Sequence, residues 1–526
     1  MKRTFLFIAI CFFSVTAFAQ LNMDQLGHLS YNVDLSDVWG YVDENGNEYA
    51  LVGTYNGLSI VDVTDPANPV EVFFKTGPNS IWRDIKTWGD YAYVSNEQDE
   101  GVLIVDLSPL PGTITTTTNF TGDDYPFSSI HNLYIDETGK LYIMGADNGQ
   151  GGAIICDLTA DPMNPVELGR FNEFYLHDGM ARGDTLWGAG IYGGILAAID
   201  VSDPANPDIM GTVSTPSQFC HNAWVSDDGT HVFTTDEVSG GFIGAFNVED
   251  LSNMYETDRV QSNPGSDVIP HNAHVLNDFI ITSYYADGIT VHDASNPSNL
   301  IEVANYDTSP NYSGSGYNGS WGAYPFLPSG NILASDIENG LHILSVEYLR
   351  ASFLEGMVTD SISGNPLFNV EVEIVEAFLN TQTAFDGTYE FGMTISGTFD
   401  IQFSKAEYNT KVIEDVEIIN GEITQLDVEL RKTVITKLSE NDVLEHFAIY
   451  PNPFASAITL EYKQAELVDE NLQIHVFNSM GNQVSDFKVN SKEGIIRFGE
   501  DLPAGIYFLQ ISSGNQESVT RRIIKL

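Results

Sequence analysis

Four histidines recur at similar intervals between residues 131 and 271, each followed by an amide or a carboxylate: His131-Asn132, His177-Asp178, His221-Asn222 and His271-Asn272. Equivalent places upstream hold Ser36-Asp37 and Trp82-Arg83-Asp84. Imidazoles gathered from separate elements can hold a transition metal. Neutral ring nitrogens suit Zn, Cu, Fe or Ni at about 2.0–2.2 Å, and carboxylates orient them from behind. The same residues can instead form a rim for a small polar or cationic ligand. They can also bond neighbouring strands and recur only because the repeat recurs.

Loops expected beside these positions add Asn96, Glu97, Asp147, Tyr192, Asp236, Glu237, Tyr284, Tyr285 and Asp336, with Trp82, Tyr192 and Tyr284 as aromatic walls. The candidate ligand-binding set is Trp82, Arg83, Asp84, Asn132, Asp178, Tyr192, Asn222, Asp236, Glu237 and Asn272. The candidate metal ligands are His131, His177, His221 and His271, for a single transition metal ion. His274 falls three residues after His271, on the other face of a regular strand, and is left out. His28, His231, His292 and His342 sit on other strands and read as packing or surface residues.

Calcium is less favoured. Asp43-Glu44-Asn45-Gly46 and Asp227-Asp228-Gly229 lack the spacing of an EF-hand and read as hairpin turns. No nucleophile elbow, phosphate loop, HExxH or paired-cysteine motif occurs, so no catalytic residue is assigned.

The elements that must position these residues form a repeat. GLSIVDVTDPANP from Gly57 returns as GVLIVDL from Gly101, GAIICDLTADPMNP from Gly152, GILAAIDVSDPANP from Gly194, GFIGAFNVEDLSN from Gly241, GITVHDASNPSN from Gly288 and GLHILSV from Gly340. Each copy reads as a buried strand ended by a turn, with Asp62, Asp106, Asp157, Asp200 and Asp293 accepting turn N–H groups. Around it, His221 to Val260 reads as four antiparallel strands, the grammar of a propeller blade. First strands open at Asp37, Arg83, His131, His177, His221, His271 and Trp321, which predicts seven blades. The seventh lacks an outer strand after Val346. Gln25 to Asn32 can supply it and close the ring. Residues 25–350 resemble the LVIVD-repeat propellers of secreted bacterial proteins, the choice-of-anchor B group. That resemblance implies an architecture and no particular activity.

The net charge is −51, concentrated in the first 350 residues, which repels nucleic acid and attracts cations or cationic partners. With 43% hydrophobic and only 18% charged residues, this is an acidic folded chain rather than a disordered one. Lys2 and Arg3, the apolar run Phe5 to Phe18 and Ala17-Phe18-Ala19 read as a secretory signal peptide over 1–19, and no later run is apolar enough to span a bilayer. Cys156 and Cys220 fall in different repeats at different places, and free buried thiols are expected.

After the propeller (20–351), alternating Val and Glu and an Asp386-Gly387 hairpin mark a second β-sandwich over 352–432, and 433–446 has linker character. Gly356-Met357-Val358-Thr359-Asp360, Pro366-Leu367 and Asp386-Gly387-Thr388-Tyr389-Glu390-Phe391 resemble the carboxypeptidase regulatory-like, or transthyretin-like, module, which implies a spacer or stalk and no protease. Tyr450-Pro451-Asn452-Pro453-Phe454 and Leu502-Pro503-Ala504-Gly505-Ile506-Tyr507 resemble the C-terminal sorting domain of the type IX secretion system, over 447–526. That implies Sec export and then recognition of this segment by the type IX machinery and its sorting peptidase. The mature chain would end anchored on the outer surface or released.

The whole reads as an all-β, exported multidomain protein: a seven-bladed propeller, a β-sandwich and a small sorting sandwich. Its expected function is binding of an extracellular ligand through a His/Asp-rich face. The alternatives are a metal-dependent enzyme acting through the four histidines and a purely structural or adhesive surface protein.

Overall fold

A computed structural model describes residues 20–377, 379–433, 447–463, 472–489, 493–513 and 519–526. The expected signal peptide and nearly all of the expected linker lie outside the described residues. The chain packs as two units, the first ending at Arg431 and the second starting at Lys432.

The repeated LVIVD-like stretch becomes the third strand of each blade, for example Gly57–Asp62, Val102–Asp106 and Ile289–Asp293. These strands are buried on both faces because each blade is covered by its neighbours, which is why they read as unbroken apolar runs. What ends them is the expected turn chemistry. Asp62, Asp106, Asp157 and Asp200 each accept the backbone N–H two residues on, at 2.8–3.0 Å. In the Asp-Pro-x-Asn-Pro turns, Asp65, Asp161 and Asp203 do the same and also take the Asn side-chain amide. Asp43 is likewise spent on its own turn, accepting from the N–H groups of Asn45 and Asn47.

Seven four-stranded antiparallel sheets result, one per blade. Their innermost strands are Leu35–Val42, Ile85–Trp88, Asn132–Ile135, Asp178–Arg182, Cys220–Val225, Ala273–Leu276 and Ser320–Tyr324, for blades 1 to 7. Each touches the next, and the last touches the first, so the ring closes. The closing strand is Met23–Leu29, a slightly earlier stretch than Gln25 to Asn32. It pairs antiparallel with the third strand of blade 7, from Met23 opposite Val346 to Leu29 opposite Leu341. Gly27 lets this strand cross blade 1 at backbone distance: a Cβ there would lie 1.8 Å from the Pro66 carbonyl oxygen.

The β-sandwich that follows pairs Ser352–Asp360 with Thr388–Met393, Ile423–Gln425 and Val428–Leu430, facing a sheet of Glu371–Ile374, Leu379–Gln382, Gly397–Ser404 and Lys411–Ile418. Its core is Val358, Val370, Ile401, Phe403 and their neighbours. It is clamped to blade 6 rather than tethered. Arg350 Nη1 donates to Asp293 Oδ1 at 2.7 Å, Ala351 N to Asp293 Oδ2 at 2.8 Å, and Asn296 Nδ2 to Glu355 Oε1 at 2.7 Å. The second unit is a small two-sheet sandwich around Phe454, Leu460, Val476 and Leu509. Among the described residues no helix is long and apolar enough to cross a membrane.

Candidate functional site

A local irregularity, repeated in four blades, builds the site. Asn132 lies opposite Met144, yet His131 also donates its N–H to the Met144 carbonyl. Blade 4 does the same with Asp178 and His177 against Ala189, and blade 6 with Asn272 and His271 against Ser283. In blade 5 the register slips between Cys220 and Asn222, leaving His221 as the extra residue. Two residues facing one is a β-bulge, and it turns two consecutive side chains toward the same side of the strand. Each blade thus presents a histidine in an upper layer and an amide or carboxylate just below.

In the upper layer the rings touch across blades. Centroids are 3.9 Å apart for His131 and His177, 4.3 Å for His177 and His221, and 4.4 Å for His221 and His271, and Trp321 continues the arc at 4.7 Å. Two glutamates from the loops after the second strands meet this arc. Glu97 bonds His131 Nδ1. Glu237 lies 3.7 Å from His221 Nε2 and 3.9 Å from His271 Nε2, and Tyr285 donates its hydroxyl to Glu237 Oε1 at 2.7 Å. Tyr285 is 1% exposed and holds a φ of 34°, a strained backbone for a bulky residue.

Burial sets the charges. It drives His271 down to about 3 and His177 and His221 well below the usual imidazole value, so all three are neutral. At His131 burial pulls the same way, but the Glu97 hydrogen bond and the nearby carboxylates outweigh it and raise the ring. Burial also pushes Glu237 up to about 7. His271 Nδ1 is satisfied by the Trp321 carbonyl at 2.6 Å. The backbone of the following histidine pulls on His177 and on His221, but neither Nδ1 closes a hydrogen bond of ordinary geometry, and both are buried. Two ligand sets therefore converge, His131/His177/His221 and His221/Glu237/His271. In each, the donor atoms lie within 4.8 Å of one another.

The second layer takes one residue from each blade: Asp37, Asp84, Asn132, Asp178, Asn222, Asn272 and Gly322. Asn222 Nδ2 donates to Asp178 Oδ2 at 2.8 Å, and Asp37 fills the space over Gly322, where a Cβ would lie 2.5 Å from Asp37 Oδ1. Lys86 lies 3.8 Å from Asp37 and 4.3 Å above the Trp39 ring. Burial raises Asp37, Asp84 and Asp178 above the usual carboxylate range. Asp84, Asn132, Asp178, Asn222 and Asn272 thus lie beneath the histidines rather than on an open rim. A third layer holds Trp39, Trp224, Phe326 and His274, whose ring is 4.6 Å from that of Trp224. His274 therefore does face the axis, contrary to the alternation argument, because the bulge at His271-Asn272 resets the alternation.

Above the histidines opens a cavity of about 570 Å³. Trp82, Tyr192, Glu237, His131 and His177 line it, whereas His221 and His271 lie under its floor. Tyr192 is 81% exposed and leans on Tyr175 at 5.0 Å. Tyr175, Phe219, Tyr285, Tyr317 and Trp321 complete the aromatic wall, with Glu97, Asp34 and Glu338 as further carboxylates and no Lys or Arg among the lining residues. Tyr175 and Phe219 each stand two residues before a histidine, in Tyr-Leu-His and Phe-Cys-His, a signal the sequence offered and the reading above did not use.

Three expected site residues are used by the scaffold. Tyr284 is 0% exposed in the core shared by blades 5 and 6, its hydroxyl on the Gly241 carbonyl. The wall position belongs to Tyr285. Arg83 turns inward, giving Nε to the Thr54 carbonyl at 2.9 Å and another nitrogen to Pro78. Asp236 ties down the loop before blade 5, accepting from Thr215 Oγ1, Ser217 N and Phe219 N. Asp147 and Asp336 anchor loops in the same way.

Comparison with known proteins agrees with this architecture. Residues 44–75, 82–110, 192–215 and 283–308 match the LVIVD repeat. Residues 354–431 match the carboxypeptidase regulatory-like domain, and 448–525 match the secretion system C-terminal sorting domain. The chain therefore carries LVIVD repeats in its propeller, a carboxypeptidase regulatory-like domain and a sorting tail that indicates type IX export to the cell surface or the medium. No curated protein matches it. Among solved structures, the β-propeller domain of Cps50 (Swd1) from Myceliophteria thermophila aligns with 62% of this chain and 100% of its own, at 12% identity and a TM-score of 0.43.

Proposed function

We propose that the propeller is the binding module of this exported protein, taking a small organic ligand with an ammonium or guanidinium group into the cavity over the histidines. One observation supports this above others: the cavity wall combines aromatic faces with carboxylates and contains no Lys or Arg, and its raised imidazole, His131, is already bonded to Glu97. Aromatic faces attract cations, by up to about 2 kcal/mol each when desolvated. The chain's charge of −51 raises the local concentration of such ligands. The sandwich and sorting domains then serve display and delivery.

The test is binding of simple probes, choline, arginine and cadaverine, to the full chain by calorimetry, with Trp82→Ala and Tyr192→Ala as variants. Tyr192 carries almost no packing, so its variant keeps the unfolding temperature. Loss of about 10- to 30-fold in affinity for at least one probe is expected, from about 1.4–2 kcal/mol per aromatic face. Equal binding by both variants and the parent would remove the cavity as the site.

A further inference from the structure

The ligand in the mouth of the cavity leaves its floor unexplained. Three donors meet there from two adjacent blades, His221 and His271 at the entrances of inner strands and Glu237 just after a second strand. We infer that His221, His271 and Glu237 bind one divalent transition metal ion, with a coordination position open to the cavity. The inference concerns the floor alone and does not depend on any organic ligand above it.

The geometry is close to a bound state. Ligands at about 2.0–2.1 Å on a tetrahedral ion stand about 3.4 Å apart. Glu237 Oε2 is 3.7 Å from His221 Nε2 and Glu237 Oε1 is 3.9 Å from His271 Nε2, and one donor atom from each of the three residues lies within 4.8 Å of the others, so closing the shell draws the donors together by roughly an ångström at most. The outer supports are already in place. A ligating histidine commonly gives its second nitrogen to a carbonyl, and a ligating carboxylate is itself hydrogen-bonded. His271 Nδ1 is on the Trp321 carbonyl, fixing Nε2 as the free donor, and the Tyr285 hydroxyl holds Glu237 Oε1. Tyr285 does so from a backbone at φ 34°, the kind of strain that persists where surrounding structure imposes it.

Two imidazoles and one carboxylate suit zinc or ferrous iron, and the lone carboxylate neutralises half of the ion's charge.

The experiment uses the full chain, purified without a metal-affinity tag, stripped with a chelator and titrated with Zn²⁺ against a competing indicator. The expected result is one ion per chain. Glu237→Gln and His271→Ala should each weaken binding more than about 100-fold, and Tyr285→Phe, which alters only the outer support, about 10-fold. His131→Ala should leave affinity within about threefold. Glu237→Gln is nearly isosteric, and an unchanged thermal transition certifies its fold. Zinc lost in His131→Ala but kept in Glu237→Gln would place the ion on the other triad and overturn the inference. So would absence of any site tighter than about 10 μM, which is weak for a buried zinc centre. Binding of the organic probes is measured separately on the chelator-treated chain, so failure of the metal site and failure of the cavity as a ligand site give different results.

Discussion

Replacing Asp84 by Asn isolates the electrostatic cost of the second layer. Asp84 is 4% exposed, with Asp37 and Asp178 as neighbouring carboxylates and Lys86 and His131 as the cations that partly offset them. Burial, then the charge of Asp37, pushes it up to about 8. A carboxyl whose folded value is raised keeps its proton in the folded chain while the unfolded chain releases it near pH 4. Its stabilising effect is complete below that pH and is lost as pH climbs toward 8, at up to about 1.4 kcal/mol per pH unit. Asp37, pushed up to about 6, titrates over an overlapping range, so relieving the pair of one charge is expected to be worth on the order of 2 kcal/mol across the window. Asn is already the residue at this position in blades 3, 5 and 6, so the substitution fits the ring and cannot titrate. Asp84→Asn should match the parent at pH 4.5 and exceed it at pH 8. For some 330 residues with an unfolding entropy of about 2.1 cal/mol/K each, that gain is about 3 °C in the propeller transition. Scanning calorimetry of the full chain at both pH values is the assay. Parallel pH profiles, or a variant weaker at pH 8, would refute the account of a buried, mutually repelling carboxylate ring.

Three further outcomes follow from packing. Gly27→Ala forces a Cβ against the Pro66 carbonyl oxygen and should destabilise the propeller by about 1–3 kcal/mol, read as a lower transition temperature. Arg350→Met removes the cation paired with the fully buried Asp293 carboxylate, leaving it the N–H groups of Ser295 and Ala351, and should cost about 2 kcal/mol, with faster proteolytic cleavage between residues 347 and 351 as a second readout. Burial raises the thiols of Cys156 and Cys220, so neither should react with a thiol reagent in the native chain, and both should on denaturation.

The blades were legible because each repeats the same two cues, a buried apolar third strand and an Asx turn, and repetition averages out local ambiguity. The histidines were found for the same reason. What strict alternation could not supply was direction. The bulges at His131, His177, His221 and His271 place two consecutive residues on one side, which sinks Asn132, Asp178, Asn222 and Asn272 below the rim and swings His274 onto the axis. Arg83 and Asp236 look like ligand groups by type, but their partners are carbonyls and N–H groups of neighbouring loops, which composition does not reveal. The aromatic wall was half visible: Trp82 and Tyr192 stood at repeat positions, whereas Tyr317 comes from the loop 307–319 before the last blade, outside the repeated stretches.

The strand Met23–Leu29 makes the propeller a circle whose two ends are the same blade. Every other pairing between named strands of the ring joins neighbouring segments of the chain, but this one joins Asp24 to Ser345, 321 positions along it. Drawing such distant segments together costs about 5 kcal/mol of chain entropy before the first hydrogen bond forms. Six blades can therefore assemble as they become available, while the seventh waits for both ends. Until the seam is made, Leu341, Ile343 and the rest of that strand present an unpaired edge. The clasp therefore acts as a fastener that closes only when the last blade is present.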